Sequence, residues 1–146
     1  MKGTPMKNAM RLLAALLAGV ALTSPAGVVY ASAPKDDVAR ASIPRNKEMR
    51  CPQWVPLFRE YGLPPKVFSY IAWRESRCNP RSTSAVRWTR FPDVGLLQIQ
   101  GSWITVTSNI CKVERSMVQH ALRNVHCNLA VAKYLYENGG LGHWSL

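Results

Sequence analysis

Hydrophobic and polar positions along the chain fall into blocks punctuated by glycine and proline, and the blocks predict a mostly α domain. Pro52 to Tyr61 is the first helical segment, closed by Gly62. The second opens at Pro64-Pro65, where proline suits the first turn, and runs to about Arg77 before Asn79-Pro80 stops it. A short helix near Ser102, a longer segment from Val113 to Arg123 and a last one from Asn128 to Asn138 follow, ending at Gly139-Gly140. Residues 81–99 lack a helical period and hold Pro92 and Gly95, which predicts loop with a short hairpin. Upstream, Pro34 to Met49 is polar, mixed in charge and aperiodic; it is expected to be a linker, with the compact domain at 50–146. The expected class is α+β: a helical lobe beside a loop and hairpin region.

The first 33 residues follow a different pattern. Lys2, Lys7 and Arg11 precede the apolar run Leu12–Leu22, and small residues then lead to Ala31-Ser32-Ala33. That order is the pattern of a secretory signal peptide, with cleavage expected near 31–33. The apolar run is about half of the roughly 20 residues a spanning helix needs, so no stable membrane insertion is expected once it is removed. The expected location is periplasmic, extracellular or at the cell wall.

Cysteine usage points the same way. Cys51, Cys78, Cys111 and Cys127 all follow the signal-like segment, and none sits in a C-x-x-C pair. In a small exported domain they read as two disulfides, with three pairings possible. Cys51 precedes the first helix and Cys78 follows the second, so an antiparallel helical hairpin favours Cys51–Cys78 and leaves Cys111–Cys127. The alternative is a zinc site recruiting His120 and His126 beside Cys111 and Cys127, and its ligand spacing is irregular.

Charge narrows the partners. Sixteen basic and eight acidic residues follow Ala33, a net charge of +8. Such an excess favours a polyanion: nucleic acid, anionic lipid or an acidic wall polymer. Export argues against nucleic acid, and no strongly amphipathic basic helix supports action on membranes. A plain solvated basic surface remains open at this stage.

On the second helix, Val67, Ile71, Glu75 and Cys78 share one face, and Glu75 is its polar misfit. A carboxyl group turned toward apolar surroundings has its pKa raised and can deliver a proton. The competing reading is a helix-end glutamate paired with Arg74, Arg77 or a nearby loop arginine.

The next segments give Glu75 a context. Glu75-Ser76 with Asn79-Pro80, Gly95-Leu96-Leu97-Gln98-Ile99, the later Asn128-Leu129-Ala130-Val131-Ala132 with Tyr134-Leu135, and the ending Gly139 to Trp144 occur in order. In these the chain resembles the lysozyme-like superfamily, both SLT-type lytic transglycosylases and c-type lysozymes, over roughly 52–144. The resemblance implies a substrate cleft between the two regions that holds peptidoglycan glycan strands. It implies a glycosidase cutting the bond after N-acetylmuramic acid, with no metal or organic cofactor, acting as a monomer. Glu75 matches the catalytic glutamate, and Ser76, Gly95, Gln98, Trp103 and Tyr134 are expected at the substrate. Trp88 and the arginines Arg81, Arg87 and Arg90 are expected beside the cleft, against sugar or wall anions.

Asp93 lies where c-type lysozymes carry a second carboxylate, and retaining glycosidases pair two such groups. Lytic transglycosylases work with one glutamate, which protonates the leaving oxygen and then takes the proton of the muramic 6-hydroxyl. Phe91-Pro92-Asp93-Val94 replaces the Gly-Ala pair usual before the transglycosylase motif. Asp93 also fits a turn after Pro92. Transglycosylase, hydrolytic muramidase and a non-catalytic wall-binding module are the readings carried forward, in that order.

Overall fold

A computed structural model describes residues 35–85 and 91–146. The signal-like segment, together with Arg87, Trp88 and Arg90, lies outside them. Six α-helices and one short hairpin make up the described chain: α1 (Lys35–Arg40), α2 (Val55–Glu60), α3 (Pro65–Ser76), β1 (Asp93–Val94), β2 (Ile99–Gln100), α4 (Ile104–Cys111), α5 (Val118–Ala121) and α6 (Val125–Gly139).

Local sequence accounts for the boundaries of α2 and α3. Pro52–Trp54 form a 3-10 turn ahead of α2, so the segment predicted as one helix begins with a tighter turn. At its end Leu63 N donates to Phe58 O at 2.8 Å and Gly62 N to Arg59 O at 3.0 Å, around Gly62 with φ +68°. This paired closure needs a left-handed residue, which glycine supplies without strain. Pro65 then opens α3, where its missing N–H costs nothing.

α3 is the central helix. Val67, Phe68, Ile71 and Ala72 are fully buried in the core. The Phe68 ring meets Tyr136 at 5.4 Å and Trp144 at 5.2 Å, both edge to face. Such pairs add about 0.5–1.5 kcal/mol each beyond buried area. Phe68 thus joins α3 to α6 and to the C-terminal 3-10 turn Gly140–Trp144.

Cys51 bonds Cys78 and Cys111 bonds Cys127, the pairing the helical hairpin favours. With both thiols of Cys111 and Cys127 consumed, the zinc alternative loses its sulfur ligands. The second disulfide also reshapes a predicted helix. A straight helix over 113–123 would be about 16 Å long, with four residues left to return to Cys127. Instead Lys112 turns left-handed (φ 55°), Glu114 is extended, and the chain is divided into a 3-10 turn at Arg115–Met117 and the four-residue α5.

Two further differences concern where helices begin. The segment expected to be linker carries α1, and Val38, Ala41 and Ile43 are half-buried against the core. The short helix expected near Ser102 is α4, which begins at Ile104 after Trp103. Among the described residues no helix is long and apolar enough to cross a membrane.

The hairpin is antiparallel, with Asp93 opposite Gln100 and Val94 opposite Ile99. A third extended stretch pairs at Thr83 with Val94. Gly95 (φ +85°) and Gln98 (φ 47°) make the turn between the strands.

Candidate active site

The C-terminal end of α3, the hairpin and the C-terminal turn enclose a cavity of about 420 Å³. Arg74 and Glu75 enter from α3, Asp93 and Gln98 from the hairpin, Trp103 from the start of α4, and His143 from the C-terminal turn. This opening is what sets the outlook of Glu75. Val67 and Ile71 on the same face are buried, whereas the Glu75 side chain stays 26% exposed at the cavity wall. The fully apolar surroundings expected for it are absent.

Glu75 is ion-paired instead. Its Oε1 accepts from Arg74 Nε at 3.0 Å and from Arg74 Nη2 at 2.6 Å. Arg74 also donates to the Trp144 carbonyl, and its guanidinium lies 6.0 Å from the Tyr70 ring. Oε2 accepts no hydrogen bond among the described residues. One oxygen of the carboxylate is therefore anchored, and the other is unbonded among the described residues.

Asp93 shares the cavity. Its carboxyl is raised above the ordinary 3.8, first because burial removes hydration and then because the Glu75 charge repels a second negative charge. A hydrogen bond with the Ser84 side chain opposes the rise. Its backbone is fixed as well: Asp93 N donates to Ser84 Oγ at 2.9 Å, and Ser84 N donates to Asp93 O at 2.9 Å. The two carboxyl groups thus face one cavity, and Asp93 is also tied to its own neighbouring strand.

Other predicted residues divide into two groups. Gln98 and Trp103 line the cavity. Gln98 Nε2 donates to Gly95 O at 2.9 Å and to Ser82 O at 3.3 Å, so its amide braces the hairpin turn. The Trp103 ring meets His143 edge to face at 5.7 Å.

Ser76, Gly95 and Tyr134 do not line it. Ser76 is buried, and its hydroxyl lies 2.8 Å from Leu96 O and 2.9 Å from Ala72 O, with one proton to share between them. Gly95 faces inward: a Cβ there would collide with Leu122 O and the Asn128 amide. Its freedom serves this close packing, not an approach to sugar. Tyr134 stands exposed on α6, away from the cavity.

Asn128 completes the support. Its fully buried side chain accepts from Leu97 N at 2.9 Å and donates to Val94 O at 2.9 Å and Leu122 O at 3.1 Å. Trp144 Nε1 donates to Leu97 O at 3.0 Å from the other side. The hairpin that carries Asp93 is thereby held to α6 and to the C-terminal turn.

Sequence reasoning named Arg74 among the partners of a helix-end Glu75, and that pair is present; it passed over His143 and the Trp144 carbonyl. The Gly139–Trp144 ending was the available signal, since it frames His143 between a glycine and a buried tryptophan.

No curated protein and no solved structure matches the chain. The family model of the transglycosylase SLT domain matches residues 57–144, more than half of the chain and all of the cavity lining except Ser145. The chain belongs to the transglycosylase SLT domain family, a family of peptidoglycan-acting enzymes within the lysozyme-like superfamily.

Proposed function

We propose that this domain is a lytic transglycosylase that cleaves the β-1,4 bond between N-acetylmuramic acid and N-acetylglucosamine, with Glu75 as acid and then base. The observation that carries the reading is the division of labour on Glu75: Oε1 is held by Arg74 while Oε2 is open among the described residues. In this mechanism Oε2 gives its proton to the leaving glycosidic oxygen as the bond to the muramic anomeric carbon breaks. The same oxygen then takes the proton of the muramic 6-hydroxyl, whose oxygen bonds the anomeric carbon and closes a 1,6-anhydro ring. No water is consumed, and the carboxyl ends in its starting state.

A hydrolytic muramidase is the second reading, and Asp93 favours it. Both carboxyl groups line one cavity, and the Glu75 charge acts on Asp93. There Asp93 would stabilise or capture the anomeric carbon before water arrives. Mass analysis of digested, purified peptidoglycan tests the two. Anhydro ends, lighter than reducing ends by one water, are the expected products. Reducing ends alone would replace the first reading by the second.

Two disulfides support work in an oxidising compartment outside the cytoplasm, in keeping with the signal-like start of the chain. Protease protection and fractionation of cells expressing the full chain check this: the mature form belongs in the exported fraction, and a wholly cytoplasmic product contradicts it.

A further inference from the structure

We propose that a second hollow, which segment 81–84 reaches at Arg81, binds the anionic peptide stems that peptidoglycan carries on its muramic residues. The proposal rests on the peptidoglycan reading above and adds a separate recognition site to it. The hollow measures about 1110 Å³, lies among α4, α5 and the start of α6, and shares no residue with the catalytic cavity.

Its chemistry is two-sided. Ile110, Val113 and Met117 give it an apolar surface, and Met117 is 46% exposed. Arg81 and Arg123 supply the charge, against one acidic lining residue, Glu114. Neither arginine forms an ion pair among the described residues, and the Arg123 guanidinium meets the Thr83 hydroxyl at 3.3–3.4 Å. Guanidinium groups without carboxylate partners beside an apolar floor suit a short peptide of small apolar and acidic residues. A peptidoglycan stem has that composition.

The catalytic cavity has the opposite polarity. It holds the carboxyl groups of Glu75 and Asp93, and its arginine is already paired. Uncharged sugar fits there, and an anionic peptide is repelled. Segment 81–84 links the two hollows. Arg81 lines the basic one, while Ser82 O accepts from Gln98 Nε2 and Ser84 holds Asp93 on the catalytic side. In the proposal, a glycan lying in the cavity places its stem across this segment onto Arg81 and Arg123.

The test compares two substrates: intact peptidoglycan and glycan strands stripped of peptide by an amidase. Arg81→Glu combined with Arg123→Glu is expected to raise KM roughly tenfold on intact peptidoglycan and less than about twofold on stripped glycan, with kcat unchanged. Equal effects on both substrates, or none on either, would overturn the proposal. Wild-type inactivity on both substrates would instead count against the enzymatic reading. In that event titration with a soluble muramyl tetrapeptide still decides the site. Saturable binding lost in the double variant supports it, and no binding by the wild type removes it.

Discussion

Ser76 Oγ lies 2.8 Å from the carbonyl oxygen of Leu96, which ties the residue after Glu75 to the turn of the hairpin that carries Asp93. The contact spans 20 residues and is buried, so it acts as a spacer between the two halves of the cavity. Ser76→Ala is expected to cost about 1–2 kcal/mol, because the Leu96 carbonyl loses its side-chain partner in a dry setting. Denaturant unfolding measures the loss. An unchanged midpoint would show that the hairpin is held without Ser76.

Asn128→Leu should be more damaging. It leaves Leu97 N, Val94 O and Leu122 O without the partner they have now, and each orphaned group costs about 1–3 kcal/mol. The expected result is a domain close to unfolding at room temperature, seen as a loss of the cooperative thermal transition. A shift of only a degree or two would contradict the central place given to this side chain.

Removing the second disulfide by Cys111→Ala with Cys127→Ala separates stability from catalysis. The bridge closes a 16-residue separation and lies apart from the catalytic cavity. Unfolding free energy is expected to fall by about 2–4 kcal/mol. Where the variant is still folded, cleavage of peptide-stripped glycan should stay within about twofold of the parent, since the bridge borders only the second hollow and no residue of the catalytic cavity is touched.

The direction of the Asp93 shift gives a stability prediction of definite sign. Its folded pKa is raised, so its contribution to stability is present below the ordinary value of 3.8 and is lost as pH rises through the folded value. At neutral pH the charged group is a burden on the fold. Asp93→Asn is therefore expected to melt at the same temperature or higher at pH 7, with the advantage gone at about pH 3. A variant that melts lower at pH 7 than at pH 3, relative to the parent, contradicts this. Activity supplies the complementary result: one-carboxylate transglycosylation tolerates the change within about tenfold, whereas a hydrolase needing Asp93 loses about a hundredfold or more.

Much of the frame was legible because its causes are local. Pro65 and Gly62 bound their helices through backbone chemistry that needs no distant partner, and the cysteines paired across the helical hairpin as that layout favoured. The motif around Gly95 marked the hairpin, yet the reason for Gly95 lay 27 residues on at Leu122 and further at Asn128. The exposure of Glu75 was hidden for the same reason, although its pairing with Arg74 was one of the readings the sequence offered. Its exposure depends on a cavity built partly by the C-terminal turn, and Arg74 is fixed by a carbonyl 70 residues away. The break in the predicted 113–123 helix followed from chain closure at Cys127, which apolar periodicity does not register.

The central claim is that Glu75 moves the proton. The rate of glycan cleavage by Glu75→Gln on purified peptidoglycan, at matched folded protein, measures it most directly. A loss of about 10²–10⁴-fold with an unchanged melting temperature is predicted, because the amide keeps the shape and the Arg74 contact but has no proton to give. Cleavage at the parental rate would contradict the account.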